Sequence, residues 1–410
     1  MKLLKNCMLV PELTEGYVGD PAGPGHDGLI KGDLLIDQKI VAVGAPGSLD
    51  SQAGENAEII DLTGCTLLPA FFDLHCHLYL ENLDIAGLDS NDESTDFVNA
   101  YHFAKAYLRQ GFTTLRDAGT AHDVTIKLTR LYEKGKIDLI PDILSSGRAL
   151  TPTNAGNDQY THLYEVCDGP DEARRAARRQ FEHGAQVIKY MATGCFLDDS
   201  GIPGMSITTE EEMHAAVEIA DMHFGHVMTH AHGADGIKRA IRAGVRTIEH
   251  GSFIDDEAID MLLEAGDRTW MVPTGGIGIA CMTDEGETLL TDAMSQKSAM
   301  YEKIERDSVD HAYQRGLKMG FGSDVDYQTF INMPGIEFRA RTDWYHFKPL
   351  DILIQATRNS AEIIGMQETK GTIKVGKNAE LVAVKGDPLS DITVMYELPE
   401  YVFFKGETIR

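Results

Sequence analysis

Residues 71–80 read FFDLHCHLYL, which places two histidines one residue apart near the end of an apolar run. In an extended strand alternate side chains share a face, so His75 and His77 point to one side and Cys76 to the other. Two imidazoles on one face can bind one metal ion. A lone His-x-His is more often a pair of core residues, so its meaning depends on the rest of the chain.

Short apolar strands alternate with amphipathic helices from about residue 65 to residue 364. The strand-like segments after the histidine strand are GFTTLRDAG (111–119), DLIPDILSSGRAL (138–150), GAQVIKYMATG (184–194), GHVMTHAHG (225–233), GVRTIEHG (244–251), RTWMVPTG (268–275) and KMGFGSDVD (318–326). Helical segments such as GPDEARRAARRQFEHG and TEEEMHAAVEIADMHFG lie between them. With the histidine strand this makes eight strands, which predicts an α/β fold of the (β/α)₈ TIM-barrel type.

The two ends of the chain have a different sequence pattern from the middle. Residues 1–64 and 365–410 read as short strands with glycine-marked turns, as in GTIKVGKNAELVAVKGDPL (371–389). We therefore predict one small β-sandwich domain formed by 1–64 plus 365–410, and a barrel over 65–364.

Composition excludes several function classes. The 37 basic against 64 acidic residues leave a formal net charge of −27, which repels nucleic acid and anionic membranes. No apolar run is long enough to span a membrane and no secretory signal pattern opens the chain, so we expect a cytoplasmic protein. The six scattered cysteines, with no Cys-x-x-Cys, indicate reduced thiols.

Titratable residues recur where the predicted strands end. In barrels of this type the active site lies at the C-terminal ends of the strands. Each residue alone has a structural alternative, such as a core histidine or a helix-capping aspartate. Five strand ends with such residues at one rim indicate chemistry instead. The residues are His75, His77, Lys189, His230, His250 and Asp324.

These residues arrive in the order His-x-His, Lys, His, His, Asp, and in this the chain resembles the amidohydrolase superfamily. The stretches SSGRAL, IKYMATG, THAHGADGIKRAIRAGVRTIEHGSFIDD and VPT are similar to its imidazolonepropionase-like branch. That branch holds Xaa-Pro dipeptidases, zinc-dependent arginine or lysine carboxypeptidases and ochratoxin-type amidases.

The resemblance implies a centre of two divalent metal ions, expected to be Zn²⁺. His75 and His77 with Asp324 would hold one ion, and His230 with His250 the other. A carbamylated Lys189 would bridge them, since a protonated lysine cannot be a ligand. Asp324 would act as general base and then general acid for a metal-bridging hydroxide that attacks an amide carbonyl. The implied enzyme is a homo-oligomeric amidohydrolase acting on C–N bonds of dipeptides or N-acyl amino acids.

Other functions stay open at this point. A deaminase of this superfamily, or a cyclic amide or lactone hydrolase, is the first alternative. Such deaminases lack the bridging lysine and carry a glutamate three residues after the fifth-strand histidine, where this chain has Gly233. A catalytically inactive barrel that serves as a binding protein is the second alternative, and metal content separates it from the enzymes.

Two residues are candidate substrate contacts. His232 shares the strand face of His230, where it would touch the scissile carbonyl or a substrate carboxylate, or else support the site by a hydrogen bond. Arg148 stands at a strand end and would bind a substrate carboxylate, or else form a structural ion pair. The dipeptidases usually have a Thr-Gly-Gly-His-Gly segment where 151–160 read TPTNAGNDQY, and a glycine where Cys195 stands. Both departures bear on the shape of the substrate pocket.

Overall fold

The computed structural model describes residues 1–88 and 90–410 of this mixed α/β chain. Strands and helices alternate through most of its length. The strands are β1 Lys2–Leu9, β2 Ile30–Ile36, β3 Ile40–Gly44, β4 Glu58–Asp61, β5 Cys65–Pro69, β6 Phe71–Cys76, β7 Phe112–Asp117, β8 Asp142–Ser145, β9 Ala149–Thr151, β10 Tyr164–Val166, β11 Ile188–Met191, β12 Val227–Gly233, β13 Thr247–Phe253, β14 Trp270–Val272, β15 Leu381–Lys385, β16 Tyr401–Phe404 and β17 Glu407–Thr408.

The helices begin and end on sequence signals. Pro170 opens one predicted helix and Gly184 closes it, while Thr209 and Glu212 form a capping box at the start of another. The α-helices are α1 Asp50–Ala53, α2 Ile85–Leu88, α3 Glu93–Arg109, α4 Val124–Glu133, α5 Pro170–His183, α6 Glu210–Met222, α7 Ala234–Ala243, α8 Asp256–Ala265, α9 Gly275–Cys281, α10 Asp284–Leu289, α11 Asp292–Gln314, α12 Tyr327–Asn332, α13 Ile336–Arg339, α14 Pro349–Ile354 and α15 Ser360–Ile363.

The strands between the chain ends form two parallel sheets. One has the order β6-β7-β8 and the other the order β10-β9-β11-β12-β13-β14. The segment 138–150, predicted as one strand, is two short strands in different sheets, because Gly147 between them adopts a left-handed φ of 66°. A backbone hydrogen bond of 2.9 Å from Gln186 N to Ser145 O joins the two sheets on this side.

The last predicted strand, 318–326, differs most from expectation. It is not a regular strand, although Gly320 N donates to Met271 O at 2.9 Å and Leu74 N donates to Phe321 O at 2.8 Å. The segment thus lies between β14 and β6. Glycine makes this close approach possible, since a Cβ at Gly322 would lie 2.8 Å from the Cβ of His75. Two parallel sheets with this segment between them are what the structure shows, rather than a closed barrel of eight regular strands.

The two chain ends meet in a third sheet. Its eight strands have the order β17-β16-β15-β5-β1-β2-β3, with β4 paired to β1. On one edge β1 pairs with β2, with a register shift between Leu4 and Cys7, and on the other its first half pairs with β4 and its second half with β5. The strands therefore form one continuous sheet rather than the two separate sheets of the predicted sandwich. The domain bounds of 64/65 and 364/365 stay a prediction.

Among the described residues, no helix is both long and apolar enough to cross a membrane. All six cysteines are unpaired thiols, and five of them are buried.

Candidate metal centre

Strand ends of the parallel sheets bring the predicted residues together. His75 lies in β6 and His77 directly after it, while Lys189, His230 and His250 lie in β11, β12 and β13. Because parallel strands run in the same direction, their carboxyl ends meet at one edge. His75, Lys189, His230 and His250 are each no more than 6% exposed to solvent.

Hydrogen bonds on the Nδ1 atom orient His77 and His250 in the site. The partner of His77 is the carbonyl oxygen of Gly119 at 2.8 Å, and that of His250 is the Thr274 hydroxyl at 2.7 Å. A carbonyl oxygen only accepts, so His77 carries its proton on Nδ1 and has a free lone pair on Nε2. This is the arrangement in which an imidazole is ready to bind a metal through Nε2.

Asp324 lies in the irregular segment 318–326 and contributes its carboxylate to the site. Its Oδ1 atom lies 3.6 Å from Nε2 of His75 and 3.5 Å from Nε2 of His77, and its Oδ2 atom lies 4.0 Å from Nδ1 of His250. The amine of Lys189 lies 3.3 Å from Nε2 of His75. All six predicted metal-binding residues therefore surround one small space.

A metal ion fits this space by its donor set. The Nε2 atoms of His230 and His250 are buried and have no hydrogen-bond partner among the described residues. Leaving such an atom unsatisfied costs about 1–3 kcal/mol, which a bound cation would relieve. Two groups of three residues have ligand atoms within 4.8 Å of one another: His230, His232 and His250, and His75, His250 and Asp324. These groups differ from the predicted pairing, because they add His232 and place His250 in both.

Burial sets the protonation of the cluster. It lowers the pKa of His75, His230 and His250 well below the ordinary histidine range, so these imidazoles are neutral and free to bind a cation. Burial also lowers the pKa of the Lys189 amine and raises the pKa of the Asp324 carboxyl. Both shifts favour uncharged forms, because the enclosed site solvates charge poorly.

A buried ion pair of Arg116 and Glu249 lies behind the histidines, and the sequence pattern does not predict it. Nδ1 of His75 lies 2.9 Å from Oε2 of Glu249, whose other oxygen accepts from Arg116 at 2.8 Å. The neighbouring Asp117 accepts backbone hydrogen bonds from Leu78 and Gly119. Glu249 thus holds the ring of His75, as carboxylates behind metal-binding histidines commonly do.

The backbone conformation of His250 explains why strand alternation does not predict Glu249 at the site. Neighbouring residues in a regular strand face opposite sides, so Glu249 and His250 would not reach the same site. His250 has a left-handed φ of 68°, which breaks this alternation. Asp324 also has a left-handed φ, of 58°. Backbone strain at two adjoining site residues is typical of a functional centre.

The two candidate substrate contacts lie in different places. His232 lines the pocket above the cluster, and its Nδ1 atom lies 2.8 Å from the Ser252 hydroxyl. Arg148 does not line this pocket but pairs with Glu165 at 3.2 Å and donates to the carbonyls of Thr161 and Tyr164. The geometry of Arg148 thus favours the structural ion pair.

The pocket over the cluster has a mostly apolar wall with five large aromatic side chains. Tyr79, Tyr160, Tyr164, Phe196 and Trp344 line it, together with aliphatic side chains. The segment 151–160 contributes Tyr160, whose hydroxyl donates to the carbonyl of Leu197. Cys195 also lines the pocket, and its Sγ atom lies 3.1 Å from Oδ2 of Asp198. Both departures noted in the sequence therefore fall on the pocket wall.

Comparisons with protein families, with single proteins and with solved structures agree on one family. The amidohydrolase family model matches residues 66–409. Ochratoxinase of Aspergillus niger is 28% identical over 394 residues, which cover 89% of this chain and 79% of that protein. A prolidase solved with N-methylphosphonate-L-proline is 28% identical with a TM-score of 0.84, covering 99% of this chain and 98% of that one. A Xaa-Pro dipeptidase with methionine bound in its active site is 26% identical with a TM-score of 0.83, covering 99% of each chain.

Proposed function

The chain belongs to the amidohydrolase family and is a hydrolase of amide C–N bonds, and we propose that it works with two metal ions on small substrates. The observation that carries the proposal is the convergence of four histidines, Lys189 and Asp324 around one buried space. The substrates we propose are dipeptides or N-acyl amino acids, with proline on the leaving side as the first candidate. The prolidase and dipeptidase among the similar structures support this class.

The donor set supports two divalent ions, of which Zn²⁺ suits imidazole and carboxylate ligands best. We assign His75, His77 and Asp324 to one ion and His230 and His250 to the other. When bound, the ions would polarise an amide carbonyl and activate water for attack on it. His232, within 4.8 Å of the second set, is available to support either an ion or the substrate.

Lys189 would join the two halves of the centre as a carbamate. Its amine is buried and has a lowered pKa, so a neutral form is accessible. The neutral amine nitrogen can add to the carbon of CO₂ and release one proton, which converts the neutral amine into an anion with two oxygens. Such a group can bind two cations at once, whereas an ammonium can bind none.

Asp324 would transfer a proton from the attacking water to the leaving nitrogen. Its carboxylate lies at the centre of the cluster, and burial brings its pKa up from the usual range for aspartate. A carboxylate with a raised pKa accepts a proton from the attacking water more readily and can pass it to the leaving nitrogen. One residue would thus serve as base and then as acid.

The alternatives have less support. Gly233 has no side chain to do the work of the glutamate found in related deaminases. Lys189 points into the cluster, where such deaminases need no lysine. For the scaffold, we propose that segment 319–324 completes an eight-membered barrel between β14 and β6, and that 1–64 with 365–410 form a separate domain.

A substrate screen tests the proposal. We expect zinc-loaded protein to hydrolyse members of a dipeptide and N-acyl amino acid library, and protein treated with a chelator to lose that activity. The screen includes lactones and N-heterocycles such as imidazolones and aminated rings. Turnover of the ring compounds alone, with release of ammonia, would establish the deaminase alternative instead.

The carboxylate of the substrate is tested in the same screen. Because Arg148 is engaged by Glu165, we expect hydrolysis to survive conversion of the substrate carboxylate to an amide. Complete loss of hydrolysis on that conversion would show that the carboxylate has an essential partner in the pocket.

A further inference from the structure

One face of helix α11 lines the pocket. Ser298, Glu302 and Glu305 are spaced by four and three residues, so they lie on the same side of the helix, and all three contact the pocket. This face adds two carboxyl groups to a wall that is otherwise mostly apolar. Neither glutamate is needed by the metal centre proposed above.

The two glutamates have different partners. Glu302 forms an ion pair with Arg306 at 3.1 Å. Glu305 has no basic side chain within 4.0 Å among the described residues, and its contacts are hydroxyl groups, those of Tyr345 at 3.5 Å and of Ser252. Burial raises the pKa of Glu305 to about 7, as expected for a carboxyl group without a cationic partner.

Glu305 lies close to the reaction centre. The Ser252 hydroxyl that contacts it also lies 2.8 Å from Nδ1 of His232. The ring of His232 in turn stacks on that of His250, with centroids 4.7 Å apart. One serine hydroxyl therefore connects the carboxyl group of Glu305 to His232 of the cluster. Glu305 thus lies near enough to contact a substrate group that is adjacent to the reacting carbonyl.

The charge of the pocket favours a cationic group on the substrate. Among the described residues that line it, Lys189 is the one lysine or arginine, and we assign it to the metal centre. Glu305 is thus a carboxyl group without a cationic partner, and the described lining residues include no further lysine or arginine for a substrate carboxylate. A cationic group on the ligand would stabilise the charged form of Glu305 and supply the partner that the pocket wall lacks.

We propose that Glu305 binds the free α-ammonium group of an aminoacyl substrate and thereby selects dipeptides and aminoacyl amides over N-acyl amino acids. This inference rests on the proposed amide hydrolysis at the neighbouring centre. The α-ammonium nitrogen is attached to the carbon next to the scissile carbonyl, which places it beside the cluster where Glu305 lies. Acetylation removes the charge and a hydrogen-bond donor, so it removes the feature that Glu305 recognises.

Glu305 has a second conceivable role, that of holding His232 in place through Ser252. The two roles differ in a measurable way. A positioning role predicts that Glu305→Gln slows every substrate alike, whereas ammonium binding predicts an effect confined to substrates with a free amine.

The test compares the best dipeptide from the screen with its N-acetyl derivative. We expect the wild-type protein to favour the free amine in kcat/KM by about tenfold or more, the scale of a charge-assisted hydrogen bond. Glu305→Gln should raise KM for the free amine by a similar factor, and leave the acetylated substrate within about twofold of its wild-type value. Asp307→Asn is the matched control, because it removes the same charge from an exposed position of α11.

A binding measurement separates this inference from the proposed function. Calorimetry with alaninamide and N-acetylalaninamide is carried out on Asp324→Asn protein, with and without Glu305→Gln. Binding of alaninamide that requires Glu305, with no hydrolysis of any amide by the wild-type protein, would contradict the proposed function and uphold the ammonium site. Equal slowing of both substrates by Glu305→Gln, a wild-type preference for the acetylated substrate, or no binding of alaninamide would overturn the inference.

Discussion

Replacement of Lys189 by alanine is expected to lower kcat by about 10²-fold or more and to reduce bound metal from about two ions per chain to about one, because the shared ligand is lost. The side chain is buried in the cluster with its amine 3.3 Å from Nε2 of His75, and alanine leaves no ligand atom at that position. Metal content by elemental analysis and turnover of a hydrolysed dipeptide measure the two effects.

Chemical rescue sharpens the Lys189 prediction. Short carboxylic acids such as acetate or propionate should restore part of the activity of the alanine variant, since they supply two oxygens where the carbamate stood. Tyr190→Phe is a suitable control, because Tyr190 is the next residue of β11 and faces away, with its hydroxyl 3.8 Å from Sγ of Cys167. An alanine variant that keeps both metals and normal turnover would show that Lys189 is not a bridge.

Asp324→Asn is expected to lower kcat by about 10²-fold or more while most of the metal is retained. Asparagine keeps the shape of the side chain and one oxygen, but it cannot accept a proton from water or return one to the leaving nitrogen. The measurement is kcat at saturating substrate together with metal content on the same sample. This separates loss of proton transfer from loss of the centre.

The control for Asp324 lies two residues along the chain. Asp326 caps α12 through a hydrogen bond from Thr329 N to its Oδ1 atom, and asparagine is an equally good cap. Asp326→Asn should therefore leave kcat unchanged. Near-normal kcat in the Asp324 variant would remove this residue from the proposed mechanism.

Sequence reasoning located the cluster because strand geometry is regular. His75 and His77, and likewise His230 and His232, are two residues apart, and alternate residues of a strand share a face. Parallel strands then bring these faces together at their carboxyl ends, whatever lies in the connecting helices. The position of Lys189 in β11 follows from the same two rules, whereas Asp324 reaches the cluster from the irregular segment between β14 and β6.

What sequence reasoning missed depends on irregular backbone and on long side chains. Glu249 reaches the site because the left-handed conformation of His250 breaks the strand alternation. The structural ion pair of Arg148 was one of two predicted alternatives, but no pattern in the sequence indicates its partner, Glu165 in β10. Glu305 enters the pocket from a helix whose docking against β13 is set by tertiary packing.

The proposal of amide hydrolysis with two metal ions is tested most directly by the metal content of the purified wild-type protein. It is determined by elemental mass spectrometry, and amide hydrolysis is measured on the same sample. We expect close to two divalent ions per chain, chiefly zinc, with activity that disappears when the ions are removed and returns when zinc is added back. Full hydrolytic activity in protein shown to be free of metal would contradict the proposal.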